Sequence, residues 1–288
     1  MSTVIFYEQD ADRELCRLYG DDGDREMILR EIDGWSATPE SKTETTPRKW
    51  GDGDHDISQA DIAYGSRTVS LSYRLLAGDR RRLQGLRGLL DGLTHRLVRM
   101  RVVDGDEDTF QVGEVLQVLP DKAPQNLATQ TETGAVTLLF RRPERLSWLV
   151  RRDQVWPGGG MSGGLSYGSS AAGLAYPLSY GVLPASRDTL LLRNAGSATA
   201  YPVLTLDGDH KGRLLLVWDG RSLEWSGGVG GPVVFDCRTQ TVSLGGVDQS
   251  RGLVSRAFPS VPPGGSVLVR LVEAGDGWLT VESRDTYI

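Results

Sequence analysis

The sequence is poor in the residues from which reactive centres are usually built. Its 288 residues include two cysteines, Cys16 and Cys237, and three histidines. Small secreted scaffolds are dense in paired cysteines, so two cysteines this far apart predict free, partly buried thiols. No histidine stands close to either cysteine in the sequence, so the pattern gives no support to a cysteine nucleophile.

Long apolar segments are also lacking. Residues 214–218 form the longest uninterrupted apolar run, whereas a membrane-spanning helix needs about 20 residues. Residues 1–8 lack the basic start and the extended apolar stretch of a signal peptide. We therefore expect no membrane insertion, and synthesis in the cytoplasm of the producing cell.

An excess of positive charge is missing as well. The net charge is −6, and nucleic-acid-binding domains usually carry a basic face. Arginines cluster at residues 80–82 and 141–152, but acidic residues are interspersed in the second cluster. We expect no nucleic-acid sequence recognition.

Glycine, by contrast, is abundant, with 36 residues against an average share of about 7%. Many glycines among scattered valine, leucine, threonine and tryptophan are typical of short strands joined by turns, and they predict a mostly β protein. In the first half, the predicted strands are residues 3–8, 14–19, 26–32, 67–75, 97–103, 109–119 and 134–142.

One segment has the period of a helix. In residues 79–97, leucines recur every three or four positions, which predicts a helix that packs its apolar stripe on a sheet. Asp79 stands where an N-cap residue is expected. Three glycines weaken this helix by about 1 kcal/mol each relative to alanine. The stripe consists of Leu83, Leu86, Leu90, Leu93 and Leu97.

Two polar segments interrupt the strands of the first half. Residues 36–61 and 120–133 contain few apolar side chains. Long loops in compact domains are usually functional or mobile. We interpret both segments as exposed arms that become ordered on assembly.

The composition changes after residue 148. Residues 157–173 are rich in glycine and serine, which is typical of a flexible linker. We therefore predict a first domain at 1–156, a linker at 157–181 and a second domain at 182–288. Short strands with even spacing and turn signals predict a β-sandwich in the second domain.

Two acidic clusters are similar to metal-binding patterns. Residues 52–56 contain three aspartates and a histidine, and residues 104–108 copy the start of an EF-hand loop. The EF-hand pattern fails at Thr109, where glycine is needed, and at Val115, where glutamate binds the metal. Residues 158–164 are glycine-rich but lack the lysine of a phosphate-binding loop. We predict no metal, no cofactor and no catalytic residue.

Two tryptophans leave an alternative open. Trp218 and Trp225 flank a turn of the second domain, where an exposed indole would stack on a sugar. Burial in the core is the commoner fate of tryptophan.

Four motifs of the second half, taken in order, resemble those of the distal tail (Dit) proteins of siphophages that infect actinobacteria. The motifs are residues 163–167 (GGLSY) with 174–181 (LAYPLSYG), 192–208 (LRNAGSATAYPVLTLDG), 234–246 (VFDCRTQTVSLGG) and 258–266 (FPSVPPGGS). The resemblance is weaker over residues 1–157.

This resemblance implies an N-terminal β-sandwich belt domain with one packed helix, followed by a galectin-like β-sandwich. It implies a non-enzymatic protein of the virion, of which six copies form a ring at the tail tip. The implied partners are other copies of the chain, the tail tube protein, the tail-associated lysin or hub protein, and other baseplate or receptor-binding proteins. Two further hypotheses remain: a carbohydrate-binding module for attachment to the host surface, and a cell-wall hydrolase.

Overall fold

A computed structural model describes residues 2–20, 23, 25–58, 62–121, 130–158 and 187–288. The chain divides into two compact units, Met1–Leu149 with Tyr287–Ile288, and Val150–Thr286. The predicted mostly β fold with one packed helix is confirmed.

The first unit is built on one large antiparallel sheet. Its main strands follow the order β2-β1-β5-β6-β7-β4-β3, and β8 pairs with β6 and with the C-terminal strand β20. The strands are β1 (Thr3–Glu8), β2 (Glu14–Leu18), β3 (Met27–Asp33), β4 (Arg67–Leu76), β5 (Leu97–Asp104), β6 (Glu107–Pro120), β7 (Thr131–Phe140), β8 (Arg145–Ser147) and β20 (Thr286–Tyr287).

This sheet curves until its two outer strands meet. Tyr19, which directly follows β2, donates its backbone N–H to the carbonyl of Met27 and accepts from the N–H of Leu29, both in β3. The two bonds measure 3.0 and 2.7 Å. Opposite walls of the curved sheet therefore face each other across the core, as the layers of a β-sandwich do, and the edges of β2 and β3 are partly paired.

Alternation along the strands fills the interior. In β4, for example, Val69, Leu71, Tyr73 and Leu75 point inward, whereas the residues between them are partly or fully exposed. This period of two places one face of each strand in the core.

The helix α1 (Arg80–Asp91) covers the core with three leucines of the predicted stripe, Leu83, Leu86 and Leu90. Asp79 is the N-cap, and its side chain accepts from the N–H of Arg82 at 2.7 Å. Among the described residues, no helix is long and apolar enough to cross a membrane.

The predicted helix was too long at its C-terminal end. Gly92 caps it, Leu93 is still buried in the following turn, and Leu97 already begins β5 with an exposed side chain. His95 adopts a positive φ of 57°, which a continuing helix does not allow.

The second unit is a β-sandwich. One sheet has the order β10-β18-β12-β13-β17, and the other has the order β16-β15-β14-β11-β19-β9. The strands are β9 (Arg151–Val155), β10 (Thr189–Arg193), β11 (Val203–Asp207), β12 (Arg213–Trp218), β13 (Arg221–Ser226), β14 (Val233–Asp236), β15 (Thr241–Leu244), β16 (Val247–Asp248), β17 (Leu253–Arg256), β18 (Ser266–Glu273) and β19 (Trp278–Ser283). A short 3-10 helix spans Ser250–Gly252.

The boundary between the units differs from the predicted one. Strand β9 falls inside the predicted first domain, yet it pairs with β19 and belongs to the second unit. The predicted linker, residues 157–181, lies outside the described residues apart from its first two positions. On either side of it, the N–H of Trp156 donates to the carbonyl of Arg187 at 2.8 Å, and both residues belong to the second unit. The chain therefore passes from the first unit to the second at Leu149–Val150, and it returns to the first unit after Thr286.

Candidate assembly surface

The first predicted arm is a two-stranded ribbon. We define the arm as residues 40–58 and 62–65. Backbone N–H groups of Lys42, Arg48, His55 and Gly65 donate across it, to partners 2.7 to 3.0 Å away. Nearly all its side chains are exposed. An isolated two-stranded hairpin is marginally stable in water, and the arm is a ribbon of this kind.

A tryptophan occupies the tip of the arm. Trp50 lies just before Gly51 and Gly53, whose positive φ angles of 99° and 77° form the turn. Its side chain is 87% exposed. The ion pair between Arg48 and Asp56, at 2.7 Å, ties the two strands of the ribbon just below the tip. Trp50 is therefore a large apolar side chain presented on a narrow polar support.

A buried arginine fixes the root of the arm. Arg67, the first residue of β4, is only 3% exposed. It donates to the backbone carbonyls of Gly34, Trp35 and Ala37, at 2.5 to 2.9 Å. A fourth bond reaches the carbonyl of Pro143 at 3.1 Å. The guanidinium therefore holds the chain where it leaves β3 toward the arm.

Burial, followed by the nearby charge of Arg145, lowers the pKa of Arg67 to about 10. The guanidinium remains charged at neutral pH. Charge-assisted hydrogen bonds to carbonyls compensate for its removal from water. Gly34 has a φ of 83°, so a side chain there is strained, and its Cβ would meet the carbonyl oxygen of Thr68.

A cleft of about 300 Å³ opens beside the arm root. Ile32, Trp35 and Val102 form part of its apolar lining, and Asp33, Asp104 and Glu107 are its acidic residues. All three acids are exposed, whereas Trp35 and Val102 are buried. The cleft therefore has an acidic rim, and its accessible lining is mainly polar because Trp35 and Val102 expose almost no surface.

The acidic turn at 104–108 contributes to this rim. Gly105 has a φ of 59°, and Asp108 forms two hydrogen bonds to Arg101, at 2.7 and 2.6 Å. In the part of the chain that the structure describes, no group of three or more histidine, cysteine, aspartate or glutamate side chains is placed to hold a metal ion. The sequence similarity to an EF-hand loop does not correspond to a ligand cage among these residues.

The second predicted arm is described only at its base. Asp121 donates its N–H to the carbonyl of Thr133 at 2.8 Å, and the hydroxyl of Thr133 donates to the Asp121 carboxylate at 2.6 Å. Residues 122–129 lie outside the described part of the chain.

The two tryptophans considered for sugar stacking are buried. Trp218 is 6% exposed and Trp225 is 1% exposed. Their indole N–H groups donate to the carbonyls of Ala257 at 2.9 Å and Gln249 at 3.1 Å. Both rings belong to the core of the sandwich, so neither offers a stacking face to a sugar.

His210 and Asn194 hold turns of the second unit. The Nδ1 atom of His210 accepts from the N–H of Gly212 at 3.1 Å, and its Nε2 atom lies 3.0 Å from the carbonyl oxygen of Gly231. Buried Asn194 donates to the carbonyl of Ala198 at 2.7 Å and accepts from the N–H of Thr286 at 3.2 Å. These polar side chains satisfy backbone groups inside their own unit.

Both cysteines are free and buried. Burial, with a smaller contribution from Glu14, raises the pKa of Cys16 to about 12. Burial, followed by the charge of Asp236, likewise raises the pKa of Cys237. Because the thiolate is the reactive form, both thiols are held in their unreactive state at neutral pH.

The sequence predicts the arm, but it did not single out Trp50 at the tip or Arg67 at the root. A tryptophan between basic residues and a Gly-Asp turn, in an otherwise polar segment, was a signal that pointed to Trp50. Nothing in the sequence distinguishes Arg67 from other arginines at the start of a strand, because its carbonyl partners come together only in the fold.

The architecture is that of a curved sheet with one helix followed by a β-sandwich. Among solved structures, the Dit protein (gp 19.1) of SPP1, described as a paradigm of the hub of the adsorption apparatus in phages that infect Gram-positive bacteria, has this fold. The match covers 100% of both chains, at a TM-score of 0.59 and 11% sequence identity.

Two chains from phage p2 baseplate structures in the activated conformation are also similar. The structure with Sr matches at a TM-score of 0.48 and 9% identity over 98% of each chain. The structure with Ca matches at a TM-score of 0.45 and 8% identity, over 98% of this chain and 97% of that chain. No protein-family model matches the sequence, and no curated protein gives a significant match.

Proposed function

We propose that this chain is a structural hub protein of a long, non-contractile phage tail tip. Copies of the chain close into a ring, most simply a hexamer, that joins the tail tube to the baseplate and the tail-associated lysin. The first units form the contacts that close the ring. The observation that carries the proposal is the likeness to the SPP1 Dit protein over the whole of both chains.

The construction of the first unit supports this role independently of the comparison. Its arm presents Trp50 beyond the core, and its cleft opens beside the root of the arm. A ring of identical subunits needs two different surfaces on each copy, one for each neighbour. An arm and a cleft are two such surfaces.

The location is tested on phage particles. Gold-labelled antibody against the purified chain is applied to intact virions and viewed by electron microscopy. We expect label at the distal end of the tail. Label restricted to the head, or to unassembled protein, contradicts the proposal.

The ring is tested on the purified full-length chain. Mass photometry over a range of concentrations, with and without the tail tube protein, gives the number of copies of the 31.4 kDa chain in each species. We expect a species of fixed copy number with a central hole in negative stain. Monomer under every condition, including excess tail tube protein, contradicts self-assembly.

A further inference from the structure

The short strand β8 lies between two strands that are distant from it in the sequence. It pairs with β6 through Ser147 with Thr109 and Leu146 with Phe110. On its other side it pairs with β20, which comes from the end of the chain. Because β8 is only three residues long, its own chain contributes little to holding it. The position of β8 therefore depends on β20 as well as on β6.

Arg145, the first residue of β8, carries a buried charge with few partners. It is 9% exposed, and its Nη2 atom donates to the backbone carbonyl of Ile288 at 3.4 Å. Its Nε atom is buried and has no hydrogen-bond partner among the described residues. Burial lowers the pKa of Arg145, and the charge of Glu107 opposes this shift. A buried guanidinium is costly unless its donors are satisfied, so Arg145 depends on the chain at Ile288.

The same guanidinium lies against the root of the arm. Its Cζ atom is 5.9 Å from the centre of the Trp35 ring, within the range of a cation–π contact. Trp35 is 4% exposed, and its ring packs edge-on against Phe140 at 5.6 Å. The carbonyl of Trp35 is one of the acceptors of Arg67. Two buried arginines therefore hold the same short loop, residues 34–37, Arg145 through the Trp35 ring and Arg67 through the backbone.

We propose that β20 is a clasp that keeps the arm root in place. Paired with β8, it supplies the acceptor that holds Arg145 beside the Trp35 ring, and Arg145 holds Trp35 in the loop from which the arm starts. When β20 leaves β8, Arg145 turns toward water because its buried charge has lost its acceptor, and the root is left to Arg67 alone. The clasp is a conformational device of the single chain, so it does not depend on whether copies of the chain form a ring.

Deletion of Tyr287 and Ile288 from the full chain tests the clasp. Hydrogen exchange followed by mass spectrometry measures the protection of residues 34–37. We expect exchange there to rise about tenfold, because β8 loses its partner strand and Arg145 loses its acceptor, while exchange in β11 to β18 of the second unit stays unchanged. Ile288→Ala is the matched control. It keeps the backbone carbonyl that Arg145 uses, and it leaves exchange at residues 34–37 unchanged.

Arg145→Met tests the middle of the same chain of contacts without shortening the protein. The substitution removes the guanidinium, and we expect the same rise in exchange at residues 34–37 while β6 keeps its protection. Deletion of Tyr287 and Ile288 in the Arg145→Met chain adds no further rise at the root, because both changes break one chain of contacts.

Three results overturn the clasp. The first is unchanged exchange at residues 34–37 after the deletion and after Arg145→Met. The second is effects of the two changes that add in full, because each then acts on the root separately. The third is a rise in Arg145→Met that is spread evenly over β1 to β7, because Arg145 then supports the whole sheet rather than the root. None of these results bears on the hub role, which the labelled virions and mass photometry test.

Discussion

The two units of this chain differ in how much polar chain extends beyond the core. The second unit turns Asn194 and His210 inward, where they satisfy backbone groups of its own turns. The first unit directs polar chain outward into the arm, and it carries all the net charge. Only its root is fixed from inside, by Arg67.

This difference bears on where the proposed assembly contacts lie. In the sandwich, Asn194 and His210 satisfy backbone groups of the same unit. A curved sheet with a ribbon that buries almost none of its own surface leaves apolar area at Trp50 that a partner can cover. We therefore place the contacts between copies that the proposed function requires in the first unit.

We expect the largest effect on stability from a substitution of Arg67 in the first unit. Arg67→Met removes four hydrogen bonds to backbone carbonyls, and we expect it to lower the free energy of unfolding of the first unit by about 4 kcal/mol. Hydrogen exchange in urea, followed on peptides of each unit, measures the effect. Arg30→Met, at an exposed position of β3, is the matched control and changes stability by less than about 0.5 kcal/mol. Equal effects of the two substitutions contradict the role of Arg67.

Alkaline pH has the next largest expected effect, which is on the stability of the first unit. The raised pKa of Cys16, about 12 against an ordinary value of 9.0, means that the unfolded chain loses this proton first. The stabilising contribution of the neutral thiol is therefore complete below pH 9 and is lost as the pH rises toward 12. We expect the first unit to lose about 2 kcal/mol between pH 9 and 11 through this group.

Cys16→Ala is the check on that assignment. It flattens the pH dependence of urea unfolding in the first unit and leaves the dependence of the second unit, where Cys237 titrates, unchanged. An unaltered profile in the first unit shows that another group is responsible. Tyr73, whose pKa burial raises to about 12, acts in the same direction. Arg67, whose pKa burial lowers to about 10, acts in the opposite direction.

Asn194 gives the corresponding test in the second unit. Asn194→Ala removes donors to Ala198 and Val261 and an acceptor for Gly196, and we expect a loss of about 2 kcal/mol in the second unit alone. Peptide-resolved hydrogen exchange reports it. Destabilisation of the first unit as large as that of the second contradicts this assignment.

The smallest expected effect is a gain. Gly85 and Gly88 lie inside α1, and a Cβ at either position meets nothing within 4 Å. Gly85→Ala and Gly88→Ala should each stabilise the first unit by about 1 kcal/mol because alanine loses less backbone freedom on folding. A lower melting temperature contradicts this explanation.

The sequence predicted what depends on local pattern. Alternation in β4 and the leucine period of α1 identified both elements, and Asp79 identified the start of the helix. The boundary between the units was not predictable in the same way. The glycine-rich composition after Pro157 suggested a boundary at that segment. The observed boundary lies earlier because β9 pairs with β19, a strand far away in the sequence.

Prediction of the candidate assembly surface from the sequence meets the same limit. The arm was predictable because residues 36–61 lack the apolar pattern of a strand or helix. The cleft was not, because it brings together chain from the N-terminus, the end of β3 and the β5–β6 turn. Such a surface exists only once the sheet has curved.

Hydrogen exchange of the assembled chain, compared with the dissociated chain, tests the central claim most directly. Assembly through the first unit predicts new protection in the arm, residues 40–58, and around the cleft at residues 33–37 and 104–109, with the exchange of β11 to β19 unchanged. Protection that appears in the strands of the second unit, while the arm exchanges as fast as before, contradicts the account.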